Sequence, residues 1–322
     1  MSSLSFTELL QRKFPENEKN KNAESKQNPS KDKSVRVISE KFIWPDPPRL
    51  TDDKLKKVRC LIRPVFLKYF LVNDDLLSKV REAFPHAADA ITLLSRSDSD
   101  VLDWGEITPI RPVILVGPPG CGKSSLARFY CEKAGIPSKI VNATGISESM
   151  TLSGSHRSWG SSAPSIVTEW IAETKSANPC IIVDEIDKAP IGVQYGNILD
   201  TLLQLLEPED AKLFYDLSLN TSVDASYVRW IFTANNISKL PPALKSRCSV
   251  VHMKAPGKEH VAKIAKNIVK KIADERKISS DWFELTPMDV SALENIFSGD
   301  IRSLKPMITA ILKDRVQTWA KA

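Results

Sequence analysis

The stretch 113–124, VILVGPPGCGKS, constrains this chain more than any other. Val113, Ile114, Leu115 and Val116 are four consecutive apolar residues, the pattern of a strand buried on both faces. Gly117-Pro118-Pro119-Gly120-Cys121-Gly122-Lys123-Ser124 follows, and the run 125–133, opened by Ser125, has the composition of a helix. Strand, glycine-rich loop and helix in this order make an anion cradle. Backbone N–H groups turn inward, and the helix adds its positive N-terminal end. At this spacing Lys123 would reach the β- and γ-phosphates of a nucleotide, and the Ser124 hydroxyl would take Mg²⁺. Cys121 lies inside the cradle, where the helix dipole would lower a thiol's pKa. A freely variable loop position is the simpler account and the one expected.

Downstream the texture repeats: strand, helix, strand, helix. Apolar runs at 139–142, 180–183, 229–233 and 249–253 predict four further strands, with helices at 165–176 and 196–206. Continuous apolar strands alternating with helices predict an α/β domain with a five-stranded parallel sheet covered on both faces. The third of the five runs ends in Asp184-Glu185. A carboxylate at the end of a buried strand beside a phosphate cradle can hold Mg²⁺, a role that falls to Asp184. Glu185 can orient and deprotonate an attacking water. The bland alternative is a solvated acidic cluster of Asp184, Glu185 and Asp187.

The flanking regions differ in composition. Residues 15–33 are mostly Asn, Lys, Glu, Ser and Gln, with too little to bury, so 1–38 reads as a disordered tail. Within it Leu4, Phe6, Leu9, Leu10 and Phe14 could form one short amphipathic helix, either a free tail or a docking peptide. Residues 39–109 read as a helical region, with helices at 51–71 (Pro64 kinking or breaking it), 76–84 and 87–94, and a polar, turn-rich 95–102. The core spans 110–256. In 257–322 the strands stop, and three helical patterns predict an all-helical lid, whose Lys263, Lys266, Lys270 and Lys271 fall off the apolar face. The 322 residues carry a formal net charge of +6, too mild a bias to argue for nucleic acid. The five cysteines show no metal-type or disulfide spacing, and there is no signal-type or membrane-length apolar run. The expectation is a cytoplasmic protein without membrane attachment.

GPPGCGKS, then IIVDEIDK, then IFTANN is the motif order of AAA+ ATPases, and the chain most resembles the ATPase module of Lon-type proteases. GSHRSWGSSAP is similar to the Lon segment that carries an aromatic pore residue. LLQLLEPEDAKLFYDLSLNTSVDASYV is similar to the stretch leading into the fourth strand, and IRSL to the sensor-2 motif. The resemblance covers about residues 111–312 and implies ATP as substrate with Mg²⁺. It assigns Asn235 to sensor 1, with Asn236 one position away. It assigns Arg247 to an arginine finger, with Lys245 a competing cation, and Arg302 to sensor 2, Pro306 putting the start of its helix in question. Trp159 falls at the pore-loop aromatic and Tyr195 in a second substrate loop, while His86 and Ala87 fall beside the adenine.

A finger acting on a neighbour implies a homo-oligomeric ring, a hexamer among the options, with a protein substrate or partner. A nucleic-acid-associated ATPase and a nucleotide-dependent assembly switch remain alternatives. The sequence ends soon after the expected lid helices, without a Ser-Lys peptidase segment. Proteolysis by this chain alone is therefore not expected.

Overall fold

The structure, a computed structural model, describes residues 33–39, 41–42, 57–70, 72–103, 107–145, 150–155, 163–189, 198–277 and 283–321. The chain enters as a strand, β1 (Lys33–Val35), which pairs antiparallel with β2 (Val65–Leu67). Val37 and Ile38 are buried, and Ile38 bridges to Val223. Residues 33–38 are therefore ordered, unlike the disordered tail expected there, because two apolar side chains among polar neighbours find a surface to cover. The expected helix over 51–71 is also replaced within the described residues. A 3-10 turn at Arg59–Ile62 ends at Arg63, whose extended backbone is what a following proline imposes, and β2 starts after Pro64.

Two helices precede the cradle, α1 (Asp74–Ala83) and α2 (Ala88–Asp103). Asn73 caps α1, its Oδ1 accepting from Leu76 N at 2.8 Å. α2 runs through the stretch expected to be turns. Ser95 and Ser97 return their hydroxyls to the carbonyls of Thr92 and Leu93 instead of competing for the backbone.

The core then follows in order: β3 (Val113–Val116), α3 (Lys123–Ala134), β4 (Ser138–Asn142), a short α4 (Met150–Ser153), α5 (Ile166–Thr174), β5 (Cys180–Asp184), α6 (Ile198–Leu205), α7 (Pro208–Ala211), the hairpin β6 (Phe214–Asp216) and β7 (Thr221–Val223), β8 (Arg229–Ala234), α8 (Pro242–Arg247) and β9 (Ser249–His252). Five strands form one parallel sheet in the order β4-β5-β8-β3-β9. Alternate residues of the central strands β3, β5 and β8 feed two cores, while the edge strands β4 and β9 leave Ile140 and Val250 exposed. Val113, Leu115, Ile182 and Ile231 pack with Val80, Ile91, Leu126 and Tyr130 from α1, α2 and α3. Ile114, Val116, Ile181, Val183 and Phe232 pack with Val167, Ile171, Leu199 and Leu202 from α5 and α6. Burial on both faces explains why these strands are apolar throughout rather than alternating.

The lid comprises α9 (Val261–Glu275), α10 (Pro287–Ile296) and α11 (Ile301–Lys321). Val261, Ile264, Val269 and Ile272 of α9 meet Leu293, Leu304, Ile308 and Leu312 in a separate core. The lysines at 263, 266, 270 and 271 are exposed, and α11 continues through Pro306. Among the described residues no helix is long and apolar enough to cross a membrane.

Candidate nucleotide site

The carboxyl ends of β3, β5 and β8 deliver the site, in the crevice where open parallel sheets place their ligands. Gly117 continues β3, its N–H donating to Ala234 O at 3.1 Å. The loop then needs two left-handed residues, Gly120 (φ +77°) and Gly122 (φ +93°), and Gly122 caps α3. A side chain at Gly120 would also run into the Asp300 carboxylate from the lid. Ile301 N, at the start of α11, donates to Gly120 O at 3.0 Å. The lid thus rests directly on the loop.

Lys123 is buried, and its Nζ donates to Gly117 O (2.8 Å), Pro118 O (2.9 Å) and Asn235 Oδ1 (2.9 Å). Burial pulls its pKa below the ordinary lysine value. The positive charge of Arg302 acts the same way, against the opposing pull of Cys121, Asp184 and Asp187. Ser124 Oγ donates to Asp184 Oδ1 at 2.5 Å. Ser125 is exposed in the first turn of α3.

Glu185 has a left-handed backbone (φ +56°), its N–H donates to Thr233 Oγ1 at 3.0 Å, and its Oε1 pairs with Lys188 Nζ at 2.7 Å. The two asparagines part ways. Asn235 reaches Lys123, whereas Asn236 Oδ1 accepts from Ser238 N at 2.9 Å and caps a turn.

Two residues without an assigned role complete the cluster. Thr233, fully buried in β8, donates its hydroxyl to Asp184 Oδ1 at 2.5 Å. Asp187 accepts from Asn235 N and Asn236 N, both at 3.1 Å, and fixes the turn that presents Asn235. The sequence signal for both was their place inside the two strand-end motifs, IFTANN and DEIDK.

Arg302 enters through the lid, its N–H held by Asp300 Oδ1 at 2.8 Å. Arg247 sits apart at the end of α8, where Nη1 donates to Ala243 O (3.2 Å) and Nε pairs with Glu207 (3.3 Å). Cys121 goes with the plainer reading, a loop position without thiol chemistry. Burial raises its thiol pKa and outweighs the neighbouring positive charge, so the thiol is not activated. His86 lies 2.8 Å from Cys121 O through Nε2, and burial, with His260 nearby, lowers its pKa. With Nε2–H donating, Nδ1 is a buried acceptor that has no partner among the described residues. Trp159 and Tyr195 lie outside the described residues.

A parallel sheet whose strand ends bring a glycine-rich loop, a lysine, a hydroxyl–carboxylate pair and a second carboxylate together defines a P-loop ATPase domain. Residues 113–255 match the family model "ATPase family associated with various cellular activities (AAA)". The peroxisomal Lon protease homolog 2 of Caenorhabditis briggsae is 32% identical over 257 residues, 78% of this chain and 33% of that protein. The Lon protease of Aquifex aeolicus is 31% identical over 217 residues, 66% of this chain and 27% of its own length. The chain carries an AAA ATPase domain, and the module is Lon-like. It spans about a third or less of these relatives. In fold, the chain is similar to Hsp104 in the closed state with ATPγS and FITC casein, at a TM-score of 0.60, 15% identity, and coverage of 84% of this chain and 49% of that one.

Proposed function

We propose that this chain hydrolyses ATP with Mg²⁺ at sites shared between subunits of a ring, and uses the cycle to remodel or translocate a protein substrate. The observation that carries the ATPase reading is the convergence of Lys123, Ser124, Asp184, Thr233 and Asn235 in one hydrogen-bonded cluster at the loop. The donor set fits Mg²⁺: one hydroxyl and one carboxylate oxygen in contact are hard ligands, and that ion completes its shell with water and substrate phosphates. Ser124 and Asp184 would hold it, and when bound it would neutralise charge on the phosphates.

The chain's own residues then have distinct tasks. Lys123 exchanges its loop carbonyls for phosphate oxygens, and Asn235 places the γ-phosphate or the water. Glu185 takes the water's proton, and Arg302 reads nucleotide state from the lid. His86, held to the loop through Cys121 O, would line the adenine pocket with Ala87. Arg247 would act on the neighbouring subunit's nucleotide, its side chain being anchored to Glu207 on the outside of the core.

Support for a protein substrate is the Lon-like relationship, with Trp159 as the proposed contact. A cytoplasmic setting is part of this proposal. Glu185→Gln tests the chemistry: it should bind ATP and lower turnover by about 10² or more. Unchanged turnover would remove Glu185 from its role. Trp159→Ala tests the use of that chemistry, with loss of stimulation by unfolded protein expected. Stimulation by DNA or RNA alone, through the exposed lysines of α9, would favour the nucleic-acid reading instead.

A further inference from the structure

The turn that leaves β5 sets Asp184, Glu185, Asp187 and Lys188 around a buried Ile186. Two of its carboxylates are committed to the neighbouring elements. Asp184 Oδ1 accepts from Ser124 and Thr233, and the two Asp187 oxygens accept from Asn235 N and Asn236 N. Glu185 differs. Its Oε1 accepts from Lys188 Nζ at 2.7 Å, and its Oε2 has no hydrogen-bond partner among the described residues.

Local geometry produces this pairing. Ile186–Lys188 is a single 3-10 turn, closed by Lys188 N donating to Glu185 O at 2.9 Å. In that winding, side chains three apart eclipse, so Lys188 stands over Glu185. Ile186 is 1% exposed and packs with the core under α5 and α6, which anchors the turn. The backbone of Glu185 is left-handed (φ +56°) and is held there by Thr233 Oγ1, which accepts its N–H at 3.0 Å. A residue with a side chain keeps that conformation only where its surroundings over-determine it.

The ion pair adds little to folding. Its side chains are 47% exposed at Lys188 and 26% at Glu185, and water screens a pair that open. Its effect falls on the carboxylate instead. A glutamate on a flexible stem samples many positions, whereas one with a tethered oxygen offers the second oxygen in few. A base oriented by a further group is the arrangement in which proton abstraction gains from geometry.

We propose that Lys188 is a positioning residue for Glu185: its ammonium holds one carboxylate oxygen and leaves the other to take the proton of the attacking water. This rests on the reading of Glu185 as the base. The water's proton passes to Oε2 as its oxygen attacks the γ-phosphorus and the bond to ADP breaks.

The test uses the full chain, with steady-state ATP turnover and a separate titration with a fluorescent ATP analogue. Lys188→Met keeps the stem and removes the charge. It should lower kcat by about tenfold or more. KM, analogue affinity and the urea midpoint should stay as in the wild type, because the contact of Lys188 runs to Glu185 and not to the loop. Lys188→Arg keeps a cation at similar reach and should recover most of the rate. Lys188→Gln is a second neutral variant, expected to match Lys188→Met and to serve if that protein does not fold. Adding Lys188→Met to Glu185→Gln should cost nothing further, since both act through one carboxylate. A kcat in Lys188→Met at or above the wild-type value, an equal loss in Lys188→Arg, or a multiplied loss in the double variant overturns the proposal. So does a loss that lies in KM and analogue affinity rather than in kcat. If Glu185→Gln itself keeps full turnover, the reading of Glu185 as base fails first, and the role of Lys188 goes with it. Slow turnover in Glu185→Gln with none in Lys188→Met overturns the role of Lys188 alone.

Discussion

Thr233 carries more of the site than its position in a buried strand suggests. One hydroxyl donates to Asp184 and accepts from Glu185 N, so it aligns both acidic residues at once. Thr233→Val removes that hydroxyl at nearly constant volume and leaves polar partners unpaired, a cost of about 1–3 kcal/mol. ATP turnover should fall by roughly tenfold or more with a smaller change in KM, read from steady-state kinetics. Cys248 makes a pH prediction. Burial pushes its thiol up to about 12 from 9.0, so the unfolded chain ionises first as pH rises. Its contribution to stability is full below pH 9 and is lost progressively toward pH 12. Cys248→Ala should lose stability less steeply above pH 9, by about 1.4 kcal/mol per pH unit, in urea midpoints compared with the wild type. At this scale Lys123, Ser124, Asp184 and Glu185 were readable from motif spacing. Thr233 and Asp187 were not assigned, because nothing local reveals which strand-end side chains turn toward one another.

Whole elements were legible where their burial was simple. The central strands β3, β5 and β8 are rich in apolar residues because both faces are covered, and that signal survives without any partner in view. The short strands β1, β2, β6 and β7 carry three residues each, too few for a period to register. The α2 extension was hidden because its serines bond back to their own helix, which composition alone reads as turn. At the lid, Asp300 both holds the Arg302 amide and lies against Gly120. Asp300→Ala should cost about 1 kcal/mol through loss of the cap. It should also speed hydrogen exchange at Ile301–Ser303, with little change in the sheet. Leu304 is fully buried in the lid core, and Leu304→Ala should cost about 2–5 kcal/mol, measured by denaturant unfolding.

Across the whole molecule, the open question is assembly. Arg247 lies at the end of α8, paired with Glu207 and away from the Lys123 cluster's contacts. If it completes a neighbour's site, Arg247→Ala should lower turnover by about 10³ or more. Mixing it with Glu185→Gln subunits should restore part of that activity, because some mixed interfaces regain both groups. A monomer fully active with ATP would exclude the shared site. The amino-acid order alone specified the alternation of strand and helix, the cradle and the lid, since these follow from periodicity and from spacing within a dozen residues. It left open which asparagine faces the lysine, and it did not point to the lid closing on Gly120. Those depend on groups far apart in the chain meeting where water is excluded, and only the packed fold determines which donors an excluded acceptor will find.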